Sequence, residues 1–168
     1  MAFITNKNRR KESEAVITPE TALAKLQHYC AYQERCHADV KEKLYGFGLT
    51  PLVVDNIIVH LIEENYLNEE RFAILYAGGH FRTKKWGRLK ILRGLKEKGI
   101  SEYCIKKAIR EIDMDDYNAT LQKLAGAKWE LLRGNGPTQR KAKCWNYLVQ
   151  KGYEPNLVGE VVSALSKL

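Results

Sequence analysis

The chain repeats itself, and that periodicity restricts its fold more than any other feature. With Gly48, Gly99 and Gly152 as origins, the next position holds Leu49, Ile100 and Tyr153. Four positions back stand Leu44, Leu95 and Leu148, and eight back stand Val40, Ile91 and Cys144. Six on are Val54, Ile105 and Val158; ten on are Ile58, Ile109 and Val162; thirteen on are Leu61, Ile112 and Leu165. Intervals of three and four are the apolar stripe of an amphipathic helix, so each copy has one helix before its glycine and one after. Glycine stops a helix because it enters the left-handed conformation without a Cβ penalty. Thr50-Pro51, Ser101-Glu102 and Glu154-Pro155 then read as an N-cap followed by proline or an acid at the first helical position.

A further helix precedes each pair. Thr18-Pro19 opens one with Ala22, Leu23, Leu26 and Tyr29, and Asn68 caps Glu69-Glu70 ahead of Phe72, Ala73, Leu75 and Tyr76. Asp115-Asp116 lead into Tyr117, Leu121, Leu124 and Ala127. Gly78-Gly79 is read as the end of the second of these helices, and Arg133 to Pro137 as a helix break. No strand-like alternation or hairpin signal is convincing. The expected fold is all-α: three tandem three-helix repeats at residues 18–66, 67–114 and 115–168, after a basic N-terminal tail at 1–17. A unit this small buries little surface alone, so the repeats are expected to pack as a short, elongated, curved array.

The net charge of +8 is unevenly placed. Residues 18–65 hold four Lys and Arg against seven Asp and Glu, whereas residues 66–112 hold twelve against five. Residues 117–168 hold eight against three. Such clustering attracts polyanions or acidic protein surfaces. No stretch approaches the roughly 18 apolar residues of a membrane span, and the polar N-terminus has no signal-like apolar region. Cys30, Cys36, Cys104 and Cys144 have no framework spacing, which fits a reducing cytoplasm.

No catalytic or cofactor-binding pattern is found: no P-loop, no G-x-G-x-x-G opening a helix, no H-E-x-x-H. Cys30, Cys36 and His37 match no zinc spacing, so no metal is expected. The signal that remains is the basic segment Arg82, Lys84, Lys85, Arg88, Lys90 and Arg93 with Trp86 among them. Its cations suit phosphates or an acidic groove, and Trp86 suits stacking or anchoring. Arg133, Arg140, Lys141 and Lys143 begin the corresponding helix of the third unit, suggesting one basic strip along the array. Trp129 and Trp145 follow apolar spacing and are expected in the core. Gly94 interrupts a helix interior, which close approach of another helix backbone and neutral drift would explain equally well.

The run Asn65-Tyr66-Leu67-Asn68-Glu69-Glu70-Arg71-Phe72-Ala73 resembles a signature of the RecX family, bacterial regulators of the RecA recombinase. Trp86-Gly87-Arg88-Leu89-Lys90-Ile91, then Leu95 and Lys98-Gly99-Ile100, resembles that family's G-x-x-(R/K)-I-x-x-x-L-x-x-KGI block. Arg35, Asp39, Lys43 and Leu44 resemble its first-unit pattern, and Leu148 to Tyr153 its third-unit ending. The resemblance covers about residues 18–168. Cys36 departs from the usual serine or threonine, Asp39 from the usual glutamate, and Trp86-Gly87 from a Lys-Gly-Pro-like sequence, so no proline stiffens that turn.

The resemblance implies three three-helix repeats without enzymatic activity or cofactor. It implies a monomeric, cytoplasmic regulator of DNA repair, recombination and the SOS response, with no membrane partner. Such a protein lies in the groove of the RecA–DNA filament and mostly inhibits it, and some members bind single- or double-stranded DNA directly. Charged contacts would come from Arg71, Arg82, Lys84, Lys85, Arg88 and Lys90, with Trp86 among them and Arg140 and Lys141 extending the set. The alternative is a tandem three-helix module acting on nucleic acid alone. Lys106, Lys107 and Arg110 on the third helix of the second unit then favour backbone contact over base reading.

Overall fold

The computed structural model describes residues 17–167, so the expected tail falls outside it except for Ile17. Among the described residues there are nine helices and no strands, so the fold is all-α. They are α1 (Pro19–Tyr32), α2 (His37–Gly46) and α3 (Pro51–Glu63), then α4 (Glu69–Lys84), α5 (Arg88–Glu97) and α6 (Glu102–Arg110). The last three are α7 (Met114–Leu131), α8 (Pro137–Lys151) and α9 (Pro155–Leu165).

Short polar side chains start many of these helices by accepting an otherwise unpaired first-turn N–H. Thr18 accepts from the Thr21 amide, Asn68 from Arg71, and Ser101 from Cys104. Cys36 takes this role for α2, its Sγ accepting from the Asp39 amide at 3.4 Å. Sulfur is a weak acceptor, so this cap is poorer than a serine or threonine would be. For α7 the cap is Asp113, whose Oδ1 accepts from both Asp115 and Asp116; these two acids lie inside the first turn. The repeat glycines all adopt positive φ: 76° at Gly48, 72° at Gly99 and 95° at Gly152. The apolar residue after Gly99 and Gly152 folds back, Ile100 N–H donating to Leu95 O and Tyr153 N–H to Leu148 O.

Gly78 and Gly79 do not end a helix; α4 runs through them to Lys84. Ala77 and Phe81 on either side are buried on one stripe, and that packing outweighs the helix cost of glycine. The stop comes instead at Lys85, left-handed at φ 54°.

Two separate cores form. Ala22, Leu26, Cys30, Val40, Leu44, Val54, Ile57, Leu61 and Leu67 close the first, within α1–α3 and the turn after it. The second is continuous through α4–α9, and its centre is an aromatic ladder with ring centroids 5.7 Å apart for Phe81–Tyr117 and 5.1 Å for Tyr117–Tyr153. Cys36 is the one residue from the first helix triplet buried in this second core. Arg71 pairs with Glu34, and Lys98 with Asp39 at 3.1 Å, to fasten α1–α3 to α4–α6. The junction of α4–α6 with α7–α9 is backbone to backbone: Gly87 N–H donates to Lys151 O at 2.8 Å and Leu89 N–H to Gly152 O at 2.9 Å. Among the described residues, no hydrogen bond or ion pair joins the first triplet to the third, so the triplets lie in series.

Trp129 is buried as expected, whereas Trp145 is on the surface at 37% exposure. The inward stripe of α8 is Cys144 and Leu148, which places Trp145 one position off it. Gly94 is crowded by the Tyr76 side chain and not by a helix backbone: an added Cβ would collide with the Tyr76 hydroxyl and lie 3.2 Å from Cζ. Gly94→Ala should therefore destabilise the protein, but much less when combined with Tyr76→Phe. A coupling of about 1 kcal/mol is expected from a double-mutant cycle in urea. Additive costs would mean that the hydroxyl does not set the glycine.

Candidate partner-binding surface

The end of α4 and the start of α5 gather the cations of the basic segment around Trp86. The indole is half-buried against the second core and stands 4.5 Å from the His80 ring, which stacks in turn on Tyr76 at 4.0 Å. Lys84 Nζ lies 4.9 Å and Lys90 Nζ 4.8 Å from the indole centroid, within the range of a cation–π contact. The backbone crossing at Gly87 and Gly152 brings the end of α8 alongside, so Lys151 Nζ donates to Lys84 O at 3.3 Å. Lys85 Nζ closes the turn on Arg82 O at 2.7 Å. Burial holds the His80 imidazole below its ordinary pKa, and Lys84 and Lys98 add to this against the raising bond to Tyr76 O. The ring therefore favours its neutral form.

Of the twelve Lys and Arg in residues 66–112, only Arg71, Lys98, Lys106 and Lys107 form an ion pair with a carboxylate among the described residues. Arg82, Lys84, Lys85 and Lys90 carry no such partner. This is a concentrated, uncompensated positive surface with one aromatic ring at its centre.

The arginines named beside them behave differently. Arg71 is spent on Glu34 and on the Asn65 side chain and carbonyl, the latter two at 3.0 Å. Arg88 lays its guanidinium 4.3 Å from the Tyr117 centroid, with Nη2 at 3.3 Å from Ile112 O and 2.8 Å from Met114 Sδ. Arg140 covers Trp129 at 4.2 Å and donates twice to Trp129 O, at 3.0 and 2.7 Å. These three act inside the fold. Lys141 is exposed and lines a separate 400 Å³ groove with Trp145 between α8 and α9. Lys151 joins the Trp86 group although sequence reasoning did not include it; the signal was its place one residue before Gly152, the glycine that meets Lys90.

No group of three or more His, Cys, Asp or Glu suited to a metal ion occurs among the described residues. No helix among them is long and apolar enough to cross a membrane.

A serial all-α array of helix triplets is the architecture of a helical-repeat protein. Family comparison agrees and is more specific. Residues 68–109 match the model of the second three-helix domain of RecX, and residues 115–162 that of the third. The chain belongs to the RecX family. It is 28% identical over 158 residues to regulatory protein RecX of Clostridium perfringens strain 13, covering 93% of this chain and 72% of that one. It is 33% identical over 131 residues to regulatory protein RecX of Clostridium tetani, covering 77% and 58%. The crystal structure of RecX from Lactobacillus salivarius superposes with a TM-score of 0.80 at 19% identity, over 89% of this chain and 97% of that one. A second RecX crystal structure gives 0.78 at 22% identity, over 85% and 70%.

Proposed function

We propose that this protein is a non-catalytic regulator of DNA repair and recombination that binds the RecA–DNA filament and mostly restrains it. Its units would be residues 18–66, 67–114 and 115–168, the last two carrying the contact surface, in a monomeric cytoplasmic protein. The observation that carries the reading is the set of unpaired cations around Trp86, at the junction of α4, α5 and α8. A RecA filament on DNA is a polyanion with a helical groove, and helix triplets joined in series suit a groove better than a point contact. The relatives' name, regulatory protein RecX, supports the same reading.

Arg71, Arg88 and Arg140 make bonds within the fold, so the test falls on cations that lack a carboxylate partner. The combined change Lys84→Glu, Lys85→Glu and Lys90→Glu should weaken inhibition of RecA strand exchange and ATP hydrolysis by about tenfold or more, with helix content unchanged. Intact inhibition at moderate salt would remove the assignment. A direct DNA-binding role has one observation in its favour, the face of α6 formed by Tyr103, Lys106, Lys107 and Arg110 around a 380 Å³ depression. Two of its three cations are already paired, Lys106 with Glu102 and Lys107 with Glu70. Tight binding to bare DNA without RecA would favour that role.

A further inference from the structure

The two junctions between triplets are built differently. Between the second and third, one continuous core runs through, and backbone bonds of 2.8 and 2.9 Å cross it. Between the first and second the cores are separate, and the chain passes once from Leu67 in the first to Phe72 in the second. What closes this seam is polar. Arg71, in the first turn of α4, pairs with Glu34 and reaches back to the Asn65 side chain and carbonyl, each at 3.0 Å. Lys98, just past the end of α5, pairs with Asp39 of α2 at 3.1 Å. These four charged side chains keep between 21% and 35% of their surface in water, where salt screens such pairs.

The closed seam also leaves polar atoms unsatisfied. Among the described residues, four buried side-chain polar atoms lack a hydrogen-bond partner, and three of them are Glu34 Oε2, Arg35 Nε and His37 Nε2. All three flank Cys36 in the passage from α1 to α2, the segment that inserts that thiol into the second core. Burial strips such atoms of water without a replacement, so opening the seam returns hydration that closure removes. The apolar contribution against this is small, because Cys36 is the one buried residue that the first triplet lends to the second core. Asn65, at the end of the first triplet, holds a left-handed turn at φ 60°, uncommon for a residue with a Cβ, and it is this turn that Arg71 grips.

We infer that the seam is a latched hinge: the first triplet swings as an arm about Asn68, and the pairs Arg71–Glu34 and Lys98–Asp39 are the latch that holds it closed. Each core stays intact as the arm moves, because the pivot lies between Leu67, buried in one, and Phe72, buried in the other. Opening withdraws Cys36 from the second core and wets Glu34, Arg35 and His37. A partner that takes hold of the first triplet can then turn it against the other two without unfolding either core.

Cys36 reports the motion in the full chain without any partner. Iodoacetamide modification of each cysteine is followed by mass spectrometry, and each rate is divided by that of the same thiol in the urea-unfolded chain. Cys36 should react at least about tenfold faster than Cys30, buried in the first core, and Cys144, buried in the second. Raising NaCl from about 0.05 M to about 0.5 M should speed Cys36 alone, and Glu34→Gln with Asp39→Asn should speed it by about fivefold at low salt. The Val40 amide, bonded to Cys36 O, should keep its hydrogen-exchange protection throughout, since the arm moves whole. The Gly87 and Leu89 amides should keep theirs, since the other junction stays shut. Equal rates at the three thiols would show that only global unfolding reaches Cys36, and would end the inference. So would a Cys36 rate indifferent to both salt and the paired substitution. A Val40 amide that exchanges as fast as Cys36 reacts would overturn it too, by showing that α2 frays while the seam stays closed.

Discussion

Gly152→Ala should destabilise the fold by about 3 kcal/mol or more, while Gly48→Ala and Gly99→Ala should cost only about 1–2 kcal/mol. All three glycines hold the same place in the repeat and share a positive φ, so each substitution pays the left-handed penalty. Only Gly152 is also crowded. Its added Cβ would collide with the Lys90 side chain and stand 2.6 Å from the Lys90 backbone nitrogen, whereas nothing lies within 4 Å of one at Gly48 or Gly99. Backbone cannot swing aside as a side-chain tip can, so the clash must separate α8 from α5.

The same crossing accounts for Gly87. A Cβ there would collide with the Gly152 carbonyl, and the two glycines let the backbones approach closely enough for the paired bonds to Lys151 O and Gly152 O. Gly87→Ala should thus cost about 1–3 kcal/mol although its φ is ordinary, at −74°. Urea unfolding of the four variants, with m-values compared, checks the series. Equal losses at Gly48, Gly99 and Gly152 would show that conformation alone is at stake. Because Lys84, Lys90 and Lys151 meet at this crossing, Gly152→Ala should also spread the cations around Trp86 and weaken any partner held there.

The glycine columns show how far sequence pattern reaches. Spacing alone places the stops at the three repeat glycines, the stripes and the caps at Asn68 and Ser101, since these depend on neighbours three or four residues away, but it misplaces the end of α4 at Gly78-Gly79. It does not distinguish Gly152 from Gly48, because the crowding comes from Lys90, sixty-two positions earlier in the chain. The candidate surface divides in the same manner. Its charge is plain in composition, and Arg82, Lys84, Lys85 and Lys90 have no carboxylate partner among the described residues. Arg71, Arg88 and Arg140 instead bond Glu34, Ile112 O and Trp129 O, which are supplied by tertiary packing.

Tyr117→Phe should remove about 1–3 kcal/mol of stability, close to the cost of leaving a buried polar group unpaired. The Tyr117 side chain is fully buried, and its hydroxyl accepts the Arg88 amide at 2.9 Å while donating to Glu154 Oε2 at 2.6 Å. Gly87 offers no side chain to cap α5, so the tyrosine from α7 supplies the acceptor that a serine supplies elsewhere. The arrangement depends on a residue with an N–H at position 88, because a proline there would have none to donate. Phenylalanine keeps the ring under the Arg88 guanidinium and in the aromatic ladder, so the loss isolates the hydroxyl. Tyr153→Phe is the smaller companion, since its hydroxyl makes the one bond to Lys85 O at 3.1 Å. Alkaline titration gives a second readout. Burial first, and then the bond to Glu154, hold Tyr117 protonated far above the ordinary tyrosine range, and burial does the same for Tyr153. The folded protein therefore retains protons that the unfolded chain releases above a pH of about 10, and stability falls as pH rises past that point. Removing one of the two groups should make that fall shallower by about 1.4 kcal/mol per pH unit. An unchanged alkaline slope in Tyr117→Phe would mean that the hydroxyl ionises as freely in the fold as out of it.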